Sequence, residues 1–132
     1  MKKIIITLLL FIGAFVIGQE IINLKKIKPG KLTENITVEK ITTDKNTSSF
    51  VIWIRDGVKL HKHTYHTESL VVIQGKGDMQ LGEEIIEVKK GDFFTIPENT
   101  PHGVTVTSSK PMKVLSMQSP EFKGVDRIFI EE

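Results

Sequence analysis

The stretch GVKLHKHTYHTESLVVIQG, residues 57 to 75, decides how the rest of the chain is read. Three of the four histidines in the chain, His61, His63 and His66, lie within six residues of one another here, and Glu68 follows closely. Alternate side chains of a strand share one face, so His61 and His63 are expected to point the same way, with Lys62 on the other side. Glu68 comes after a short turn through Thr64 to Thr67 and opens a second strand running from Ser69 to Ile73. His102 stands far away in sequence, just after the turn from Pro97 to Pro101, at the start of another strand. A His-x-His pair alone is common on surface strands. The weight comes from Glu68 and His102 joining it. Three neutral imidazoles and one carboxylate form a mixed nitrogen and oxygen donor set. It suits Fe, Mn, Zn, Ni or Cu rather than Ca or Mg. Such a set leaves an octahedral ion with open positions for water or substrate.

Outward from this stretch the chain reads as strand after short strand. Expected strands are Ile36 to Thr43, Phe50 to Arg55, Leu70 to Ile73, Asp78 to Leu81, Ile85 to Val88, Phe93 to Ile96, Gly103 to Thr107, Met112 to Met117 and Arg127 to Ile130. Turn residues separate them, among them Asp56-Gly57, Gly82-Glu83-Glu84, Lys90-Gly91-Asp92 and Ser108 to Pro111. Evenly spaced short strands with such breaks predict an all-β sandwich or barrel, and no long stretch has helical periodicity.

The 132 residues divide into three parts. Lys2 and Lys3 followed by the apolar run from Ile4 to Ile17 read as a signal peptide over residues 1–18, too short for a membrane span. An exported chain, periplasmic or secreted, is therefore expected, with no membrane attachment after cleavage. Residues 19–35 read as a lead-in arm that adds an edge strand. Residues 36–132 form one domain. Formal net charge is +2, and loss of Lys2 and Lys3 would bring it to zero, so no basic patch or nucleic-acid partner is expected. There is no cysteine. That excludes disulfides, thiolate zinc sites and cysteine nucleophiles, and leaves His and carboxylate as the only metal donors.

At these residues the sequence resembles the cupin superfamily. The first cupin motif, Gly, His-x-His, Glu and Gly, is matched by Gly57, His61, His63, Glu68 and Gly75. The second, Gly, Pro-x-Gly and His, is matched by Gly91, Pro97 and His102, with Asn99 in place of the second glycine. Asn tolerates the left-handed conformation that such a turn needs. Gly57 lies closer to His61 than in the pattern, and Val106 stands where the pattern has Asn. The resemblance covers about Phe50 to Met117. It implies a cupin-type double-stranded β-helix, a jelly-roll barrel of the RmlC-like kind, with a metal in one open end held by His61, His63, Glu68 and His102.

Around this site, His66 and Tyr65 are candidate catalytic groups at the mouth, His66 being otherwise a solvated loop residue. Trp53 and Arg55 share a strand face and are candidate pocket-wall residues, with Arg55 able to grip a carboxylate or phosphate. Three functional readings follow. The first is a metalloenzyme acting on a small polar metabolite, of dioxygenase, isomerase or lyase type, with the ion polarising the substrate or binding dioxygen. The second is a non-catalytic metal-containing binding protein for a small ligand such as a sugar or sugar acid. The third is a metal-stabilised structural domain. A homodimer through an edge sheet is a further expectation.

Overall fold

The structure, a computed structural model, describes residues 20–131. The signal-peptide reading of residues 1–18 lies outside them. Ten strands follow in order: β1 (Ile36–Thr43), β2 (Ser48–Ile54), β3 (Gly57–Lys62), β4 (Thr67–Gln74), β5 (Lys76–Leu81), β6 (Glu84–Lys89), β7 (Phe93–Ile96), β8 (His102–Val106), β9 (Met112–Ser119) and β10 (Ile128–Phe129). No helix occurs among the described residues.

The strands form two five-stranded sheets, β1-β2-β9-β4-β7 and β10-β3-β8-β5-β6. Every pairing is antiparallel. Pairing of early strands with late ones, β2 with β9 and β3 with β8, coils the chain into the double-stranded β-helix of a jelly roll. The period-two rule sets the interior. On β4 it is Glu68, Leu70 and Val72 that are buried, and on β9 it is Met112, Val114, Ser116 and Gln118. Leu70, Val72, Met79, Ile96, Val104, Met112 and Val114 form the core between the sheets. The polar members of the same rows, Glu68, Ser116 and Gln118, gather towards one end, and there the site lies.

One irregularity aims His61. Between Val58 and His61, β3 has three residue steps where β8 has two, from Val104 to His102. This β-bulge resets the parity of the strand, so that Val58 and His61 both face the interior. Gly103 makes room for it. A Cβ there would sit 2.8 Å from the Val58 carbonyl oxygen and 3.2 Å from the Leu60 nitrogen.

Residues 20–35 form no strand, and the edge position belongs to β1. The arm is held differently from the expectation. Lys113, an outward-facing residue of β9, is only 5% exposed because the arm covers it. Its ammonium donates to the carbonyls of Leu24 (2.6 Å) and Ile27 (2.7 Å) and lies 5.2 Å from the Trp53 ring centre. Burial lowers the Lys113 pKa from its ordinary value.

Candidate metal centre

His61 ends the bulged part of β3, His63 lies just beyond the strand, Glu68 is the second residue of β4 and His102 opens β8. All four are buried. The register pairs His61 with His102 and Glu68 with Gln118, which brings the motifs together from both sheets. Imidazole centres lie 4.1 Å apart for His61 and His102, 5.2 Å for His61 and His63, and 5.4 Å for His63 and His102. One nitrogen from each ring falls within 4.8 Å of the other two.

The second nitrogen of each ring explains the first. His61 Nδ1 faces the Lys59 carbonyl at 2.9 Å, His102 Nδ1 the Thr100 carbonyl at 2.9 Å, and His63 Nδ1 the Asp126 carbonyl at 2.5 Å. A carbonyl only accepts, so each Nδ1 carries the proton and each neutral ring turns a lone pair on Nε2 inward. The Nε2 atoms of His63 and His102 are buried with no hydrogen-bond partner. Buried polar atoms are rarely left so. Three neutral imidazoles in this tautomer could bind a metal ion, and backbone carbonyls behind them are the usual way such ligands are oriented.

Glu68 belongs to the same cluster. Its Oε2 lies 3.3 Å from His102 Nε2 and 3.6 Å from His63 Nε2. Its Oε1 accepts a 2.5 Å hydrogen bond from Ser116 and a long one, 3.5 Å, from Gln118. Burial alone would raise the carboxyl pKa. The pKa is nonetheless held well below the usual carboxylate range, by His102 and His63 when their Nε2 atoms carry protons and by the Ser116 hydroxyl; with those nitrogens bare, a cation among them would take the place of the protons. His61 is pushed down to about 4, by burial first and then by His102. For His63 burial acts downward, yet Glu68 and the Asp126 carbonyl outweigh it and the pKa is raised.

A cavity of about 70 Å³ opens beside these groups, walled by Ile52, Ile54, Leu70 and Met79 among others, with His61, Glu68, His102 and Arg127 as its polar members. Trp53 and Arg55 are not in its wall. They are odd-numbered residues of a strand whose even positions, Ile52 and Ile54, face inward. Trp53 instead packs under Lys113, and Arg55 is half-exposed beside Asp56 at 3.4 Å. Gln74, Gln80, Phe94 and Met117 also stand outside it.

His66 and Tyr65 are also placed away from the cavity. His66 is buried, neither solvated nor at the mouth, with Nδ1 2.6 Å from Asp126 Oδ2 and Nε2 3.0 Å from the Glu121 carbonyl. Both partners are acceptors, a match that is complete only when both nitrogens carry protons. Tyr65 is 44% exposed, its ring against that of His66. The residue that organises this region is Asp126. Its carboxylate accepts from the Thr64 and Tyr65 amides (2.9 and 3.1 Å), the Thr64 hydroxyl and His66, while its carbonyl holds His63. Those donors hold its pKa far below the usual range against the opposing effect of burial. Phe122 packs edge-on against both His63 and His66. Residues 120–130 thus form a strap across this end of the barrel, which β10 closes by pairing Phe129 with His61 and Ile128 with Lys62. No local sequence signal marks Asp126; only its distance-spanning contacts reveal it.

Comparison with known proteins gives the same picture. A cupin-domain family model matches residues 50–118. An uncharacterised protein of Aquifex aeolicus is 31% identical over 113 residues, covering 86% of this chain and 92% of its own length. Quercetin 2,3-dioxygenase of Bacillus subtilis is 31% identical over 74 residues, which is 52% of this chain and 22% of that enzyme. Among solved structures, a double-stranded β-helix protein of Klebsiella pneumoniae superposes with a TM-score of 0.72 at 15% identity, covering 87% of this chain and 100% of that one.

Proposed function

The chain belongs to the cupin family, and on that premise we propose that it is a metal-dependent enzyme for a small metabolite, with His61, His63, His102 and Glu68 as the ligands of one divalent transition metal ion. The observation that carries this reading is the orphaned pair of buried Nε2 atoms, turned towards an ionised buried carboxylate by carbonyls that occupy every Nδ1. When bound, the ion supplies Lewis-acid polarisation of a substrate oxygen or, if it is iron, a place for dioxygen.

The remaining groups bind, orient and exclude. Ser116 and Gln118 fix Glu68 Oε1, so that Oε2 stays directed at the imidazoles. The bulge at residues 58–61 and the carbonyls of Lys59, Thr100 and Asp126 fix the three rings. Apolar side chains line the rest of the cavity and keep bulk water from the donors. Dioxygenase, isomerase and lyase chemistry all fit this arrangement. The match to a quercetin dioxygenase over part of that enzyme's length supports the oxygenase branch as the first to assay.

A second reading has its own support. Neither His66 nor Tyr65 lines the cavity, so among the described residues no free general acid or base stands there beyond the proposed ligands. That favours a binding protein for a small ligand. Elemental analysis of protein purified without a histidine tag tests the shared premise. One equivalent of a transition metal is expected, lost in the double variant H61A/H102A with the β-rich circular dichroism spectrum retained. A metal-free wild type after reconstitution refutes it. Incubating the loaded protein with a library of small metabolites, followed by NMR, separates the two readings. New resonances mark an enzyme, and line broadening alone marks a binding protein.

A further inference from the structure

Arg127 borders the same cavity as His61, Glu68 and His102, and it also reaches solvent, which puts it at the mouth. Among the described residues it has no carboxylate partner within ion-pair distance. Its neighbour Asp126 cannot serve, because that carboxylate is taken up by Thr64, Tyr65 and His66. Among the described residues Glu68 is the only acid in the cavity wall, and it is committed to Ser116 and lies against the imidazoles. Arg127 is thus a cation of that wall whose charge is unpaired among the described residues. The strap fixes its place, with Asp126 anchored on one side and Ile128 and Phe129 paired to β3 on the other.

We propose that Arg127 makes this cavity a site for a small carboxylate with a short aliphatic body, its anionic head held at the mouth by the guanidinium and its apolar part against Ile52, Leu70 and Met79. The inference deepens the enzyme reading by naming a substrate class, and it rests on that reading for the ion that would share the head group. Three neutral imidazoles and one carboxylate leave a divalent ion with a net positive charge, and Arg127 adds another with nothing to neutralise it. An anion is the ligand such a mouth selects. The planar fork of arginine matches a carboxylate with paired hydrogen bonds. The cavity is small, about 70 Å³, and its wall is mostly aliphatic, which suits a chain of a few carbons.

The test is calorimetric titration of butyrate and its neutral isostere butyramide into the wild type, R127Q and R127K, each with and without one equivalent of Co2+. Wild type is expected to bind butyrate more tightly than butyramide. R127Q should weaken butyrate by about tenfold or more and leave butyramide unchanged, while R127K recovers part of the difference. Equal butyrate affinity in R127Q and wild type overturns the proposal, as does a wild type that prefers butyramide or binds neither. Co2+ uptake is read separately by its visible absorption. Its absence from the wild type would sink the metal reading, and the metal-free titrations would still decide the role of Arg127.

Discussion

Replacing Asp126 by asparagine tests the central claim about the strap, that one buried carboxylate holds the 64–66 turn and, through its own backbone, a metal-facing histidine. The amide keeps one oxygen for the Thr64 amide and hydroxyl. It sets an NH2 group where Oδ2 now accepts from the Tyr65 amide and from His66. Two charge-assisted hydrogen bonds are lost and two buried donors are left facing a donor. Each such bond contributes ~1.5–3 kcal/mol. Partial relaxation makes a net loss of about 3 kcal/mol a reasonable sum, or ~10–15 °C in melting temperature for a domain of this size. The pH dependence has a definite sign. The folded pKa of Asp126 is depressed, so its contribution is complete above the ordinary carboxylate range and is lost as the pH falls towards the folded value. The gap between wild type and D126N should be full at pH 7 and narrow below about pH 4, where unfolded carboxyls take up protons. The assay is thermal melting by circular dichroism from pH 3 to 8, with metal affinity measured in parallel by chelator competition. Disturbing the carbonyl behind His63 should weaken metal binding by ~10–100-fold. A melting temperature within about 2 °C of wild type, with unchanged metal affinity, would refute the reasoning.

Three other changes probe separate parts of the molecule. S116A removes the donor that fixes Glu68 Oε1 and should weaken metal binding by about tenfold with little change in fold, read by the same competition. G103A puts a methyl 2.8 Å from the Val58 carbonyl and should destabilise the bulge by ~2 kcal/mol or more, lowering the melting temperature and spoiling the His61–His102 pairing. K113M should free the lead-in arm while leaving the barrel nearly intact, seen as rapid proteolysis within residues 20–35; protection equal to wild type would show that the ammonium contacts are unimportant.

The histidine stretch and the second motif were legible because their chemistry is written in local spacing. His61, His63, Glu68 and His102 meet as anticipated, and Asn99 adopts the left-handed turn, φ 60°, that the missing glycine would have taken. Strand positions were legible for the same reason. Faces were harder. Trp53 and Arg55 share a face, yet nothing local says that this face looks away from the cavity; the even positions win because Ile52 and Ile54 fill the interior. The parity of β3 depends on a bulge that only the partner strand and Gly103 reveal. His66 looked like a solvated loop residue because its partners, Asp126 and Glu121, lie 60 and 55 residues away. Arg127 is missed likewise, and the anion-gripping role first considered for Arg55 fits it better.

The strap also places the site in time. Ribosomes deliver Asp126 and Arg127 after the first nine strands and His61, His63, Glu68 and His102 have been made. Until that segment arrives, His63 has no carbonyl to fix its tautomer and β3 has no outer neighbour. A nascent chain therefore holds the donors before it holds the geometry, and on the proposed function firm metal capture would wait for the strap to dock. If the proposed ion binds, its uptake should report that synthesis has run through Asp126, so a chain cut short at residue 119 would keep His61, His63, Glu68 and His102 and still be a poor competitor for metal.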